Sequence, residues 1–434
     1  MDCPSWWAKV IDQINANHLA DPAMLPGAVF GVETRQDGRL VASVGEGWAN
    51  NTVCEIGSMT KPFISAAVLL ALEESDLLDI EVLVCRLPGM ELYAADPVKS
   101  QIRLRHLLQH TSGLPHFQRY SDWPKTPCND PCGKPPSCVS ASHDLGPVSE
   151  WIGAPALTNE CIHADGRCQP ARLLELDKVS RYIMQTYPVS SSPQPGTQYS
   201  YSTVNYVLVA RIIEQLTKKP VNIYIKEKLF EPLAMKDSFF IAQKTGDPEM
   251  DARIDEGVGD EQRGRIADLA LITKDGRLPP EMAAGHGGGW DKFRTGWRFV
   301  NPDGGMFSTA DDLLNFLRVL RDGGMFESRR ILSPEIVRLL VEDQGHAHTM
   351  GFGFRGQPTP YGQGPGTIEH MGYKMTYFWY DPAPDNPSLG VFLSQRLPNI
   401  AQNTNLADGL HVILRVFVPL IKSELSSAEV PQPV

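Results

Sequence analysis

Strand-like segments lie near both ends of this chain, and mostly helical segments lie between them. Residues 27–33 and 40–44 are apolar runs separated by the turn signal at 36–38, which predicts a hairpin. Residues 376–380 and 389–394 read as two adjacent strands near the other end. A sheet that takes strands from both ends predicts an α+β fold, with an antiparallel sheet flanked by helices and a mostly helical lobe inserted.

The chain has 434 residues, of which 42% are apolar, so it is long enough to bury a large core in two lobes. We expect a discontinuous α/β lobe from residues 1–80 and 300–434, and a helical lobe from residues 81–299. The helical lobe would contain a Cys-rich insertion at about 117–171. The predicted helices cover residues 6–18, 58–75, 101–114, 174–185, 203–216, 310–321 (capped by Thr309) and 405–421.

The charge balance limits the partners of the protein. There are 40 basic and 51 acidic residues, for a formal net charge of −11, which argues against nucleic acid as a partner. The chain has no run of eighteen apolar residues, so no membrane span is expected. Residues 1–7 lack a basic region and an apolar region, which predicts a cytoplasmic protein without a visible secretory signal.

The cysteines favour a different compartment. Five of the eight lie in the Pro- and Gly-rich insertion, at Cys128, Cys132, Cys138, Cys161 and Cys168. They are compatible with disulfides, with free thiols, or with a metal site that includes His143 or His163. The spacing does not match a paired C-x-x-C zinc module, and none of these interpretations places the cluster in the chemistry.

The segment Ser58-Met59-Thr60-Lys61 is the strongest chemical signal. Residues at i and i+3 share a helix face, so Lys61 can present its amine to the Ser58 hydroxyl. A lysine that burial keeps neutral can take the proton of a serine, which is otherwise a poor nucleophile. Gly57 and Pro62 are typical of a helix start, and the apolar positions that follow recur at helical spacing.

A second motif, residues 199–203, stands where another helix is predicted to begin. A tyrosine at a helix N-terminus and near a protonated lysine would have a stabilised phenolate. Tyr201 is therefore a candidate general base at neutral pH. The alternative is an ordinary packing residue on an amphipathic helix.

A third motif, His370-Met371-Gly372, precedes the strand predicted at 376–380. Glycine beside a strand edge allows close approach of a substrate, and a neighbouring N–H can hold an oxyanion. Taken alone, a histidine at the start of a strand is usually structural.

These motifs, in this order, resemble those of the serine β-lactamase and penicillin-binding-protein superfamily. The resemblance is greatest to the class C-like branch, which includes family VIII carboxylesterases, D-aminopeptidases and fungal acyltransferases. Residues 104–115, 195–202 and 303–313 support it as framework segments, and it covers about residues 25–420 apart from the insertion. It implies a β-lactamase/transpeptidase-like fold.

The resemblance also implies roles for individual residues. Ser58 would be the nucleophile, Lys61 its proton partner, and Tyr201 the base that also protonates the leaving group. Backbone N–H groups of Ser58 and Tyr373, next to Gly372, would hold the oxyanion. No metal or organic cofactor is implied.

Two positions depart from the family pattern. Thr203 stands where an asparagine would contact the amide side chain of a lactam, and His370 replaces a lysine that anchors a substrate carboxylate. Since a neutral histidine is a poorer anchor, both changes favour esters or acyl transfer over β-lactams.

Further glycine and aromatic residues invite comparison with other sites. The run 285–289 is similar to the HGGG loop of lipases, but the chain lacks the G-x-S-x-G elbow that such a loop accompanies. We interpret it as a flexible loop in which His286 is structural. Trp290, Trp297 and Tyr377 are candidates to line an apolar acyl pocket, although aromatics at such positions are more often core.

Three hypotheses for function follow. The first is a serine hydrolase with an acyl-Ser58 intermediate, most plausibly a carboxylesterase for small or aryl esters. The second is an acyltransferase or cyclising thioesterase in secondary metabolism, where an alcohol or amine replaces water. The third is a binding protein with a degenerate pocket. β-Lactamase or D-aminopeptidase activity is a further alternative, and in every case the ligand is a small ester, thioester or amide.

Overall fold

The computed structural model describes most of the chain. The described residues are 4–22, 25–114, 162–163, 168–169, 176–185, 189, 194–241, 258–273, 276–278, 300–384, 386–397 and 413–427. Predictions for the five clustered cysteines, apart from the backbone at Cys168, lie outside them. The same holds for His143, the 285–289 loop with His286, Trp290 and Trp297.

Strands from both ends of the chain form the main sheet. The strands are β1 (Ala28–Thr34), β2 (Gly38–Val44), β3 (Cys54–Glu55), β4 (Ile162–His163), β5 (Cys168–Gln169), β6 (Phe239–Phe240), β7 (Ala270–Thr273), β8 (Gly276–Leu278), β9 (Met306–Ser308), β10 (Met325–Phe326), β11 (Arg329–Arg330), β12 (Gly353–Arg355), β13 (Thr367–Gly372), β14 (Thr376–Asp381), β15 (Ser388–Leu393) and β16 (Arg396–Leu397). The main sheet has the order β12-β13-β14-β15-β1-β2 and is antiparallel throughout. The predicted α+β fold with a sheet built from both ends is thus confirmed.

Helices pack around this sheet. They are α1 (Ser5–Ala20), α2 (Lys61–Glu74), α3 (Leu104–Leu108), α4 (Leu176–Gln185), α5 (Val204–Thr217), α6 (Val221–Ile225), α7 (Asp260–Gly264), α8 (Ala310–Arg321), α9 (Pro334–Val341) and α10 (Val418–Ser427). Single turns of 3₁₀-helix lie at Gly57–Thr60, Val84–Arg86, Glu91–Ala95 and Lys99–Gln101, and π-helical turns at Lys226–Phe230 and Ile413–Phe417. None of the described helices is long and apolar enough to cross a membrane.

The two faces of the sheet bury different apolar clusters. Side chains of a strand alternate between faces, so Val29 belongs to the cluster that also contains residues of α2, α5 and α8, while its neighbour Phe30 belongs to the cluster on the opposite side. On that opposite side Phe417 lies 5.4 Å from Phe30 and 5.7 Å from Trp379, measured between ring centroids. Helix α1 and the C-terminal helices cover this second cluster.

Local sequence signals account for the starts of α2 and α8. The Thr309 hydroxyl accepts a hydrogen bond from the Asp312 backbone N–H and caps α8, as predicted. Pro62 lies in the first turn of α2, where its missing N–H costs little. The helix predicted at 101–114 is only five residues long as α3, and of the helix predicted at 405–421 the described part begins at residue 413. The division into two lobes at the predicted residues stays a prediction.

Candidate active site

Ser58 and Lys61 meet at the start of α2. The chain enters this helix through the 3₁₀ turn Gly57–Thr60, which leaves Ser58 half-buried while Lys61 is fully buried. Lys61 Nζ lies 3.1 Å from Ser58 Oγ. The amine predicted to serve the serine therefore lies within hydrogen-bond distance of it.

Tyr201 approaches the same serine from another part of the chain. Its hydroxyl donates a hydrogen bond to Ser58 Oγ at 2.8 Å. The Tyr201 ring packs against His110, with 4.3 Å between ring centroids, and the Ser202 N–H donates to His110 Nδ1 at 3.1 Å. The imidazole thus fixes the segment that leads into α5 and directs the phenol toward Ser58.

Burial sets the protonation of both groups around Ser58. It lowers the pKa of Lys61 to about 8, although the nearby Asp303 carboxylate acts in the opposite direction. Burial also raises the pKa of Tyr201 well above its ordinary value, and the hydrogen bond to Ser58 offsets this only in part. The predicted stabilised phenolate is therefore wrong for the resting site: the phenol holds its proton at neutral pH, and Lys61 is the group closer to deprotonation.

Asp303 is a site residue that sequence reasoning missed. It lies in the turn before β9, where its carbonyl oxygen accepts a hydrogen bond of 2.5 Å from Lys61 Nζ. Its carboxylate Oδ2 is 3.7 Å from the same nitrogen, an ion pair beyond hydrogen-bond distance. In the sequence, Asp303 stands before two glycines and an apolar strand, a position that predicts burial. A buried carboxylate requires a cation, so this pattern could have identified Asp303 as a partner of a buried lysine.

The backbone beside Ser58 lies against the end of β13. Gly57 has a φ of +57°, and a Cβ at this position would lie 3.1 Å from the Tyr373 nitrogen. A Cβ on Gly372 would lie 2.2 Å from the Ile56 carbonyl oxygen, so only glycine permits this approach. The two N–H groups predicted to hold an oxyanion, those of Ser58 and Tyr373, thus belong to segments in contact. Their role stays a prediction.

His370 and Thr203 lie near this centre and supply no positive charge. His370 is half-buried on β13, with Nδ1 3.0 Å from the Met371 carbonyl oxygen. Burial and the charge of Lys61 lower the pKa of His370 to about 3, so its imidazole is neutral. Thr203, immediately before α5, is buried, and its hydroxyl makes no hydrogen bond with other described residues.

Tyr377 belongs to the core, the alternative given for it above, and does not line the site. The side chain is fully buried in the apolar cluster on the opposite face of the sheet, where its hydroxyl bonds with Gln363 and Glu369. The next residue of β14, Phe378, points to the other face of the sheet and belongs to the cluster that contains α2. Phe378 is the residue that pairs with His370 of β13. Within the described ranges, no cluster of three or more His, Cys, Asp or Glu side chains is arranged to hold a metal ion.

The chain is similar to known proteins over most of its length. A family model described as Beta-lactamase matches residues 15–413. The N-acetylmuramyl-L-alanine amidase of Bacillus subtilis (strain 168) is 24% identical over 409 residues, covering 86% of this chain and 78% of that protein.

Solved structures of the same fold include enzymes with different activities. EstCE1, described as a hydrolase with promiscuous acyltransferase activity, has a TM-score of 0.60 at 18% identity and covers 94% of this chain and 98% of its own. The LovD6 mutant of simvastatin synthase from Aspergillus terreus has a TM-score of 0.64 at 17% identity. The match covers 96% of this chain and 95% of that chain. With its fold and with a family match over most of its length, the chain belongs to the Beta-lactamase family, within the superfamily of serine β-lactamases and penicillin-binding proteins.

Proposed function

We propose that this protein is a serine hydrolase that forms an acyl-enzyme on Ser58 and cleaves small or aryl carboxylic esters. The observation that carries the proposal is the convergence of two groups on one oxygen. Lys61 Nζ and the Tyr201 hydroxyl lie 3.1 Å and 2.8 Å from Ser58 Oγ. Membership of a family of serine hydrolases and acyltransferases supports the same reaction class.

Acylation begins with the proton of Ser58. With a pKa of about 8, about a tenth of Lys61 is neutral at pH 7, and this fraction rises with pH. The neutral amine takes the Ser58 proton as Oγ attacks the ester carbonyl. We therefore assign the base to Lys61 rather than Tyr201, and expect kcat/KM to rise with pH through the pKa of the amine.

Tyr201 completes the proton path. Its phenol stays protonated across this pH range, so it can donate a proton to the oxygen of the leaving alcohol. The Lys61 ammonium then returns a proton to Tyr201, and both groups regain their starting state. Water enters the site in the second half of the reaction and releases the acyl group from Ser58 by the reverse path.

Among the described residues, the position that the resemblance gives to an anchoring lysine holds the neutral His370, which supports ester substrates. A β-lactam or a peptide terminus carries a carboxylate that requires a positive partner, and the imidazole of His370 is neutral. Thr203 cannot offer the amide group of an asparagine to a lactam side chain. An uncharged ester needs neither contact.

The experiment is a comparison of wild type with Ser58→Ala on p-nitrophenyl esters of increasing acyl length. We expect turnover in wild type and a loss of at least about 10⁴-fold in the variant. Nitrocefin and a D-amino acid amide serve as parallel substrates, and both are expected to react more slowly than the best ester. Turnover that survives in Ser58→Ala would contradict the proposal.

Added alcohols distinguish hydrolysis from transfer. Both reactions share the acyl-enzyme and differ in whether water or an alcohol releases the acyl group. We expect the acid to be the main product with small alcohols present. Formation of the new ester as the main product would make the protein an acyltransferase, and absence of any Ser58-dependent reaction would favour a binding protein.

A further inference from the structure

Asp303 is a buried acid that the proposed proton path does not use. The residue is 5% exposed, and its backbone N–H donates to Asn301 Oδ1 at 3.1 Å. Oδ2 faces Lys61 Nζ at 3.7 Å, while Oδ1 is buried and has no hydrogen-bond partner within the described chain. A buried carboxylate oxygen without a partner is costly, so its retention requires an explanation.

The backbone of residue 303 already holds the amine. Its carbonyl oxygen accepts the 2.5 Å hydrogen bond from Lys61, and any residue at this position would supply that oxygen. At 3.7 Å from Nζ, the carboxylate therefore acts on the amine mainly through its charge. That charge lies beside the amine that the proposed reaction deprotonates.

The other described groups that interact with Lys61 are uncharged at neutral pH. The rings of Tyr201 and Tyr206 lie with their centroids 5.1 Å and 5.6 Å from Nζ, and burial raises the pKa of both phenols. His110 and His370 also interact with the Lys61 charge, and burial lowers the pKa of both imidazoles. Among the residues that the structure describes, Asp303 supplies the only carboxylate within 4 Å of Lys61 Nζ.

We propose that Asp303 is a positioning residue of the acyl-enzyme site: its carbonyl fixes the Lys61 amine beside Ser58, and its carboxylate sets the charge of that amine. The inference rests on the proposed function of Ser58 and Lys61. Burial alone would leave Lys61 neutral at a lower pH, and the carboxylate opposes this. Asp303 thereby moves the working range of the enzyme toward alkaline pH.

The test is the pH dependence of kcat/KM for p-nitrophenyl acetate in wild type and Asp303→Asn. The variant keeps the carbonyl and the shape of the side chain but loses the charge. We expect the rise of its kcat/KM with pH to occur about one to three pH units lower than in wild type. This is the size of the pKa shift that an opposite charge at this distance produces, and the variant loses that charge. As a fraction of the plateau value of the same variant, kcat/KM at pH 7 should rise by about fivefold or more, since the neutral fraction of Lys61 is larger.

Asp312→Asn is the matched control. Asp312 is also 5% exposed, and its carboxylate accepts hydrogen bonds from Ser238 Oγ and the Asp237 N–H rather than from Lys61. In Asp312→Asn, the rise of kcat/KM with pH should occur at the same pH as in wild type. If Asp303→Asn lowers kcat equally at every pH and leaves the pH of this rise unchanged, the carboxylate has only a structural role and the inference is overturned.

Two further measurements separate the possible failures. Ser58→Ala is assayed in parallel, and turnover in that variant contradicts the proposed function rather than the role of Asp303. If Asp303→Asn does not fold, ¹³Cε NMR of lysines in wild type follows the same amine, with its resonance assigned by its loss in Lys61→Met. If the carboxylate acts on the amine, the Lys61 chemical shift should show a second inflection at acid pH, where the Asp303 carboxylate titrates. A curve with a single inflection overturns the inference.

Discussion

Two buried lysines near the Ser58 segment each face a carboxylate. Lys61, three residues after Ser58, faces Asp303, and Lys374 pairs with Glu55, three residues before Ser58. The two lysines are 0% and 1% exposed. They share burial and partner type, so the way each amine is bonded must account for any difference in their roles.

The Lys374 pair is complete and joins two backbone segments. Its amine contacts the Glu55 carboxylate directly, and Gln395 Nε2 donates to the Glu55 carbonyl at 2.9 Å. Nearby, the Thr376 hydroxyl donates to the Ile56 carbonyl at 2.8 Å. These bonds hold the segment before Ser58 against the end of β13, where Tyr373 lies.

The Lys61 pair is incomplete. The carboxylate of Asp303 is too far from Nζ for a hydrogen bond, and one of its oxygens is unpartnered within the described chain. The amine remains directed at Ser58 Oγ. We infer that the Lys374 pair maintains structure, whereas the Lys61 amine, held by a carbonyl and by a more distant carboxylate, stays available to Ser58.

After Ser58→Ala, Lys61→Met should have the largest effect on activity. Without the amine, the proton of Ser58 has no acceptor, so kcat/KM for the best ester should fall by about 10³–10⁴-fold. Steady-state kinetics measure the loss, and thermal unfolding should show a folded protein. If Lys61→Met lowered the free energy of unfolding as much as Lys374→Met does, the proposed difference between the two pairs would be contradicted.

Lys374→Met should instead reduce stability. It leaves the Glu55 carboxylate buried without this cation, so the free energy of unfolding should fall by about 3–5 kcal/mol. Urea denaturation measures the change. Replacing both partners, as Glu55→Leu with Lys374→Met, should recover much of it, because an apolar pair needs no counter-charge. A drop in activity without a drop in stability would contradict a structural role.

Tyr201→Phe tests the second contact to Ser58. The variant keeps the ring packed on His110 and removes the proton donor, so kcat should fall by about 10²–10³-fold. The loss should be smaller for p-nitrophenyl esters than for alkyl esters, because p-nitrophenolate leaves without protonation. Equal losses on both ester classes would argue against Tyr201 as the acid for the leaving group.

His370→Ala should have the smallest effect. The imidazole is neutral and bonded to its own strand, and it takes no part in the proposed proton path. We expect less than about a tenfold change in kcat/KM, below the range of general acid–base residues. A loss as large as that of Ser58→Ala would place histidine in the proton path and overturn the assignment of Lys61 as the base.

Sequence patterns predicted the features that depend on neighbours in the chain. The hairpin of β1 and β2, the pairing of β14 with β15 and the start of α8 followed from turn chemistry, strand propensity and capping. The contact between Ser58 and Lys61 followed from their separation by three residues.

Features set by distant contacts could not be predicted in this way. Asp303 reaches Lys61 across 242 positions, and only the folded chain brings them together. Burial raises the pKa of Tyr201, and burial is set by contacts between distant parts of the chain that the sequence pattern does not reveal. The face on which Tyr377 lies depends on the register of β14 against β13.

The most direct test of the central claim is to locate the acyl group. Wild type and Lys61→Met are mixed with an excess of p-nitrophenyl acetate, quenched in acid within seconds, digested and analysed by peptide mass spectrometry. We predict an acetyl group on Ser58 in wild type and little or none in Lys61→Met at the same time. Acetylation of another residue, or equal acetylation of Ser58 without Lys61, would contradict the account.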